Sequence, residues 1–357
     1  MSEKTPINKG NFDDLESLER KQRFEQYRGE GWEEEYREYR DNWTKYAKEQ
    51  FVAEWPLLVD IELSTICNLK CPMCYTLTED FKSKVPTKLM DEALYKSIID
   101  EIAGNVPAIR LSLRGEPTLH PRFIEFIKYA KDKGIKEVSF LTNGSKLDDE
   151  YIEKIILAGA DWITVSIDGV DEQYEAIRYP MKFSGILNSM KRFKEIKDRI
   201  GVHKPVIKIQ GIWPAVRRNV KKYYDTFEPY VDLIAFNTLI DYLKNDENII
   251  YEDEFSCPMI YQRIVVASDG MVLSCSMDES NSFVVGDRNC ESIHEIWHGK
   301  KFNEIREAHK TAQGFMCYSK CRECEQPRKL EEVERVKLYD REIVIRNYIG
   351  RTQEIGK

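Results

Sequence analysis

LLVDIELSTICNLKCPMCY, residues 57–75, carries an apolar, strand-like run straight into Cys67, Cys71 and Cys74 on one short loop. Three thiolates spaced Cys-x3-Cys-x2-Cys can hold three corners of a four-iron cluster and leave the fourth iron open for a ligand. A structural zinc site usually takes four ligands in two separated pairs, and no nearby cysteine or histidine completes such a set. Three unrelated buried thiols are the remaining plain reading.

Outward from this stretch, short apolar segments alternate with amphipathic ones. The strand candidates are 57–63, 108–113, 137–142, 162–167, 205–211 and 231–237. Helical periodicity lies near 88–104, 121–134, 148–159, 184–199 and 217–228. Six βα steps with buried strands argue for parallel pairing and right-handed crossovers. A barrel and a doubly wound open sheet both fit this alternation.

Ahead of it, residues 13–50 are densely charged and helical in pattern. Trp32, Tyr36, Tyr39, Trp43 and Tyr46 recur at steps of four and three, a stripe expected to pack against the rest of the protein. The tail 331–357 is charged, with room for one further strand or helix.

The 357 residues carry a net charge of −8, which argues against a nucleic-acid groove as the main partner surface. No apolar stretch reaches membrane-span length, and MSEKTPINKG is not a signal peptide. Nine cysteines with no export signal point to reduced thiols, metal ligation and a cytoplasmic location.

Several strand ends bear polar residues. Arg114-Gly115-Glu116-Pro117 follows the second strand; the glycine lets backbone approach a ligand and the carboxylate accepts from an ammonium. Arg114 is expected at a pocket rim, where it would meet an anionic substrate group. Thr142-Asn143-Gly144 ends the third strand, and Ser166 and Asp168 end the fourth. Each is also an ordinary strand-to-helix exit. Arg178 is read either as a partner for a carboxylate or as a solvated residue. Gln210, Trp213, Arg217 and Arg218 form a group suited to an acidic substrate or to an exposed helical turn.

Six of the nine cysteines fall in 251–330. Cys257 and Cys275 bracket a hairpin turning at Asp269-Gly270. Cys321 and Cys324 form Cys-x2-Cys, and the four make a cage that suits zinc and iron–sulfur equally. Cys317 is left over as an alternative to one of these ligands, and Cys290 is expected to be a buried free thiol.

The triad in CNLKCPMCY resembles the signature of radical S-adenosylmethionine (radical SAM) enzymes, and the resemblance covers residues 57–330. It implies an α/β fold: a partial (β/α)6 TIM-like barrel (55–245) with a helical N-terminal extension (1–54). A small cysteine-rich C-terminal domain of twitch or SPASM type (246–330) and a tail (331–357) follow. Cys67, Cys71 and Cys74 would bind the cluster whose open iron takes the methionine moiety of S-adenosylmethionine. Gly115, Glu116 and Pro117 match the segment for its amino group, although Arg114 stands where relatives carry glycine. Thr142, Asn143, Ser166 and Asp168 match cofactor-contacting stretches, with Ser166 and Asp168 the expected direct contacts, and Arg178 would pair with the cofactor carboxylate. Met73 replaces an aromatic residue usual before the third cysteine. Cys257, Cys275, Cys321 and Cys324 would hold one auxiliary cluster, making two [4Fe-4S] clusters in all.

The expected activity is hydrogen-atom abstraction by a 5′-deoxyadenosyl radical from a small polar substrate, such as a sugar, nucleotide sugar or aminocyclitol. Dehydrogenation of a secondary alcohol would pass an electron to the auxiliary cluster. Hydrogen delivery from Cys290 or Cys317 would instead give an epimer. Peptide modification is the runner-up, and an iron–sulfur redox carrier or regulator the non-enzymatic alternative. A reducing partner such as flavodoxin or ferredoxin is implied.

Overall fold

The computed structural model describes residues 13–240, 248–351 and 354–355. The expected boundary between 245 and 246 lies outside the described residues. Ten strands form one sheet: β1 (Asp13–Asp14), β2 (Leu58–Ile61), β3 (Ala108–Arg110), β4 (Glu137–Thr142), β5 (Trp162–Ser166), β6 (Val206–Ile212), β7 (Leu233–Asn237), β8 (Arg263–Val266), β9 (Met271–Leu273) and β10 (Val284–Asp287). β11 (Leu330–Leu338) and β12 (Arg341–Tyr348) form a separate antiparallel hairpin.

β2 to β7 pair in parallel and in chain order. A doubly wound sheet reverses its strand order at a switch point; this one does not, so the winding is of barrel type. Its edges stay apart, because β7 pairs with β1 and β2 pairs with β8. Helices cover the strands where periodicity places them, at Glu92–Ile102, Phe123–Asp132, Asp149–Ala158, Phe183–Ile200 and Val220–Phe227. Strand residues such as Val59, Ile109, Val138, Ile163, Ile209 and Ile234 are buried in the shared core.

The N-terminal segment is two helices, Leu18–Arg28 and Glu33–Glu49, where the charge pattern suggested one continuous stretch. Gly29 caps the first, and Gly31 turns the chain at φ +86°. The aromatic stripe buries Trp32, Tyr36 and Tyr39 against Leu57, Leu58 and Ala108. Those partners lie at the starts of β2 and β3, so the stripe seals the barrel at the end opposite the strand C-termini. Arg28 reinforces the seal by holding Glu137, first residue of β4, at 2.6 and 2.8 Å.

Beyond the barrel, β8 runs beside β2, the strand that delivers the cysteine triad, and continues through β9 and β10 as an antiparallel meander. The turn at Asp269-Gly270 forms as expected, with Gly270 at φ +94°. The tail departs from expectation. Its alternating sequence forms two strands, β11 and β12, which turn at Tyr339-Asp340 with Tyr339 at φ +57°.

Candidate functional site

The triad loop leaves β2 and is pinned where it starts. Gly115 N–H donates to Ser64 O (3.2 Å) and Glu116 N–H to Ile66 O (2.8 Å). A Cβ on Gly115 would lie 2.4 Å from Ser64 O and 2.6 Å from Ile66 O, so only glycine lets these backbones meet. Further on, Cys74 N–H closes a turn onto Cys71 O (2.9 Å), and Cys74 Sγ lies 3.0 Å from Thr76 Oγ1.

Glu116 is buried and ties three strand ends together. Its carboxylate accepts from Thr118 N–H, Thr118 O–H (2.6 Å), Thr142 O–H (2.7 Å) and Asn143 N–H (2.7 Å). Burial pushes its carboxyl pKa up, and these donors oppose the shift. Asn143 donates to Asn68 Oδ1 (2.8 Å) and lies 3.9 Å from Cys67 Sγ. Thr142, Asn143 and Glu116 are thereby gathered beside the triad.

Asp168 is buried, and Arg178 Nε donates to its Oδ2 at 2.6 Å; Ile212 N–H takes the other oxygen at 2.8 Å. Arg178 is thus a paired residue at the site and not a solvated one. Burial pushes the Cys71 thiol up to about 11, and the Arg178 charge opposes that rise. Ser166 ends β5 level with Gln210 of β6. A loop offering three sulfurs, with donors and a cation around it, fits a thiolate-bound cluster.

Arg114 is not at a rim. It is almost wholly buried, grips Glu62 (Nε–Oε1 2.6 Å) and reaches Asn281 Oδ1 (2.6 Å) on the loop after Cys275. Its charge is spent inside the protein because Glu62, also buried, demands a counterion. Trp213 likewise differs from its expected role. It is buried against Phe236, away from Arg217 and Arg218 on an exposed turn, so the group does not share one face.

In the C-terminal region Cys257, Cys275, Cys321 and Cys324 sit within electrostatic reach of one another. Burial pushes Cys257 up to about 11 and Cys321 up to about 12, with Cys275 and Cys324 also raised. Backbone N–H groups oppose this: Met259 and Ile260 at Cys257, Met277 at Cys275, and Gln326 at Cys324 (3.4 Å).

His309, which sequence reading missed, is buried beside this cage. Its Nδ1 accepts from Cys257 N–H (3.2 Å), and Nε2 lies 3.9 Å from Cys321 Sγ. Nothing in the sequence marks it, since it ends an ordinary amphipathic helix, Lys300–His309. Cys317 is exposed at a 3₁₀ turn. Cys290, expected to be buried, is exposed, because it lies in the turn after β10, where its Sγ is 3.9 Å from Asp287 Oδ2.

A family model described as the radical SAM superfamily matches residues 61–234, and one described as an iron–sulfur cluster-binding domain, SPASM, matches 257–325. The chain is 24% identical over 248 residues to the tungsten-containing aldehyde ferredoxin oxidoreductase cofactor-modifying protein of Pyrococcus furiosus, covering 63% of this chain and 67% of that one. It is 30% identical over 216 residues to the AdoMet-dependent heme synthase of Methanosarcina barkeri, covering 59% and 57%. The chain spans about half to two thirds of the length of these curated relatives.

Among solved structures, BtrN in complex with AdoMet and 2-DOIA superposes with TM-score 0.53 at 18% identity, covering 75% of this chain and 92% of that one. Streptococcus suis SuiB bound to S-adenosylmethionine gives 0.55 at 14%, covering 82% and 76%. At these identities the likeness is one of fold. No helix among the described residues is long and apolar enough to cross a membrane.

Proposed function

This chain is a radical SAM enzyme with a C-terminal SPASM domain, and from that premise we propose that it dehydrogenates a secondary alcohol on a small polar substrate. Its cofactors are S-adenosylmethionine and iron–sulfur clusters. Cys67, Cys71 and Cys74 would hold the cluster that binds S-adenosylmethionine; Cys257, Cys275, Cys321 and Cys324 would hold one auxiliary cluster. Once bound, these groups supply the electron that splits the sulfonium into a 5′-deoxyadenosyl radical and an acceptor for the electron the substrate gives up.

The observation that carries this reading is the completeness of the second thiol cage. Cys257, Cys275, Cys321 and Cys324 are half-buried, three of them with backbone N–H donors; together they would fill every corner of a cluster and leave no iron open for substrate, so electron transfer would be its natural task. The protein's own residues do the positioning. Gly115 and Glu116 fix the triad loop, Asn143 bridges it to β4, and the Asp168–Arg178 pair sets a cation beside Cys71. Gly115, Glu116, Pro117, Thr142, Asn143, Ser166, Asp168 and Arg178 are the cofactor contacts proposed.

Carbohydrate-derived alcohols lead as substrates: sugars, nucleotide sugars and aminocyclitols. Supporting a small molecule over a peptide, the curated relatives are named for heme, Fe-coproporphyrin, pterin and GTP chemistry. The test presents anaerobic, reconstituted enzyme with such alcohols deuterated at the carbinol carbon. Deuterium in 5′-deoxyadenosine together with a ketone product supports the proposal. Deuterium transfer with inversion and no ketone points to epimerisation, and transfer only from a peptide overturns the substrate class.

A further inference from the structure

Away from both thiol groups, His294 and His298 stand four residues apart, one helical turn, in the run His-Glu-Ile-Trp-His. Residues Ile293–Trp297 form the helix, and His298 caps it. Glu54 arrives from the strap 51–57, which links the second N-terminal helix to β2. Its Oε1 lies 2.7 Å from His294 Nε2, and its carbonyl oxygen lies 2.9 Å from His298 Nε2. The two imidazole rings are 4.7 Å apart, and one ligand atom from each of the three residues falls within 4.8 Å of the others.

We propose that Glu54, His294 and His298 bind a divalent zinc-class ion that clasps the N-terminal strap to the helix of the auxiliary domain. Two imidazoles and a carboxylate supply three of the four positions that zinc and its transition-metal neighbours favour, and a water would take the fourth. Magnesium and calcium favour all-oxygen sets, so the site discriminates against them. Bonds of 2.0–2.2 Å would open the His294–Glu54 contact from 2.7 Å to about 3.3 Å. An exposed carboxylate makes that adjustment easily (the Glu54 side chain is 76% exposed).

The strap is already ordered for this. Trp297 Nε1 donates to Ala53 O (2.8 Å), and the Trp55 ring packs 4.8 Å from that of His294. His-Glu-x-x-His is also the spacing of zinc hydrolases, where the glutamate is a general base. Here Glu295 is engaged in a capping box, accepting from Ser292 N–H (2.9 Å) and Ser292 O–H (2.8 Å). The role assigned is therefore structural.

The test uses the full chain with its clusters reconstituted anaerobically. Zinc alone is added in slight excess, loose metal is removed by gel filtration, and zinc, iron and sulfide are counted. A single retained zinc per chain with iron and sulfide unchanged is expected. The double variant His294→Ala/His298→Ala should bind it at least about tenfold more weakly. Hydrogen exchange across 51–57 should slow with zinc in the wild type and not in the variant. Glu54→Gln, an exposed change that leaves the fold intact, should weaken retention as well. Equal zinc in both proteins, or none in the wild type, overturns the proposal. Zinc uptake matched by loss of iron overturns it too, because the metal would then sit on the thiolates.

Discussion

Arg114 grips Glu62 through two parallel hydrogen bonds within the barrel, and its remaining nitrogen reaches Asn281 in the auxiliary region. One guanidinium thus joins the strand that delivers the triad to the loop that follows Cys275. Because Glu62 is buried, Arg114→Ala would strand its charge, at a cost of about 3–5 kcal/mol. Arg114→Lys keeps the charge and loses the fork, so it should fall between. Guanidinium unfolding of reconstituted protein checks this; a fully stable Arg114→Ala would contradict it.

Gly115→Ala should damage the triad selectively. Its Cβ would collide with Ser64 O and Ile66 O, backbone atoms that cannot swing aside. Iron content is expected to drop from about eight to about four per chain, with the auxiliary cluster retained. A variant that keeps all its iron would show that the close approach is dispensable.

His120 sets a pH dependence. Its Nδ1 accepts from Arg122 N–H (3.1 Å) and its Nε2 donates to Met90 O (3.0 Å), an arrangement only the neutral ring can make. Burial lowers its pKa below the ordinary 6.5. Below 6.5 the unfolded chain therefore takes up a proton that the folded one refuses. Stability is complete above that pH and is lost as pH falls toward the depressed folded value. Urea midpoints at about pH 7.5 and about pH 5.5 should differ more in the wild type than in His120→Asn. Equal differences would assign the slope to other groups.

Asp168→Asn keeps shape while removing the counterion of Arg178, releasing that cation from its fixed place near Cys71. S-adenosylmethionine should then bind about tenfold more weakly, equivalent to 1.4 kcal/mol. Calorimetry with iron-matched samples measures it, and an unchanged Kd would remove the pair from the cofactor site.

The strand–helix order was legible because short apolar runs and period-3.6 patterns alternate cleanly, and the barrel only because Cys-x3-Cys-x2-Cys is so constrained a spacing. Polar partners were not. Glu62, Asn68 and Asn281 meet Arg114 and Asn143 only after strands far apart in sequence come together, and nothing local marks them. The same blindness placed Arg114 at a rim and Trp213 in a binding group, since exposure is a property of packing. The tail failed differently: alternation in 330–348 supports strand, but a hairpin needs Tyr339 in a left-handed turn, which residue type alone does not announce.

The central claim is that one iron on the Cys67–Cys71–Cys74 loop is left for S-adenosylmethionine. The most direct measurement is 5′-deoxyadenosine formed by anaerobic, dithionite-reduced enzyme, compared with the Cys67→Ala/Cys71→Ala/Cys74→Ala variant. The wild type should release the nucleoside, while the variant should keep about four irons and release none. Cleavage surviving in the variant, or absent from fully iron-loaded wild type, would contradict the account.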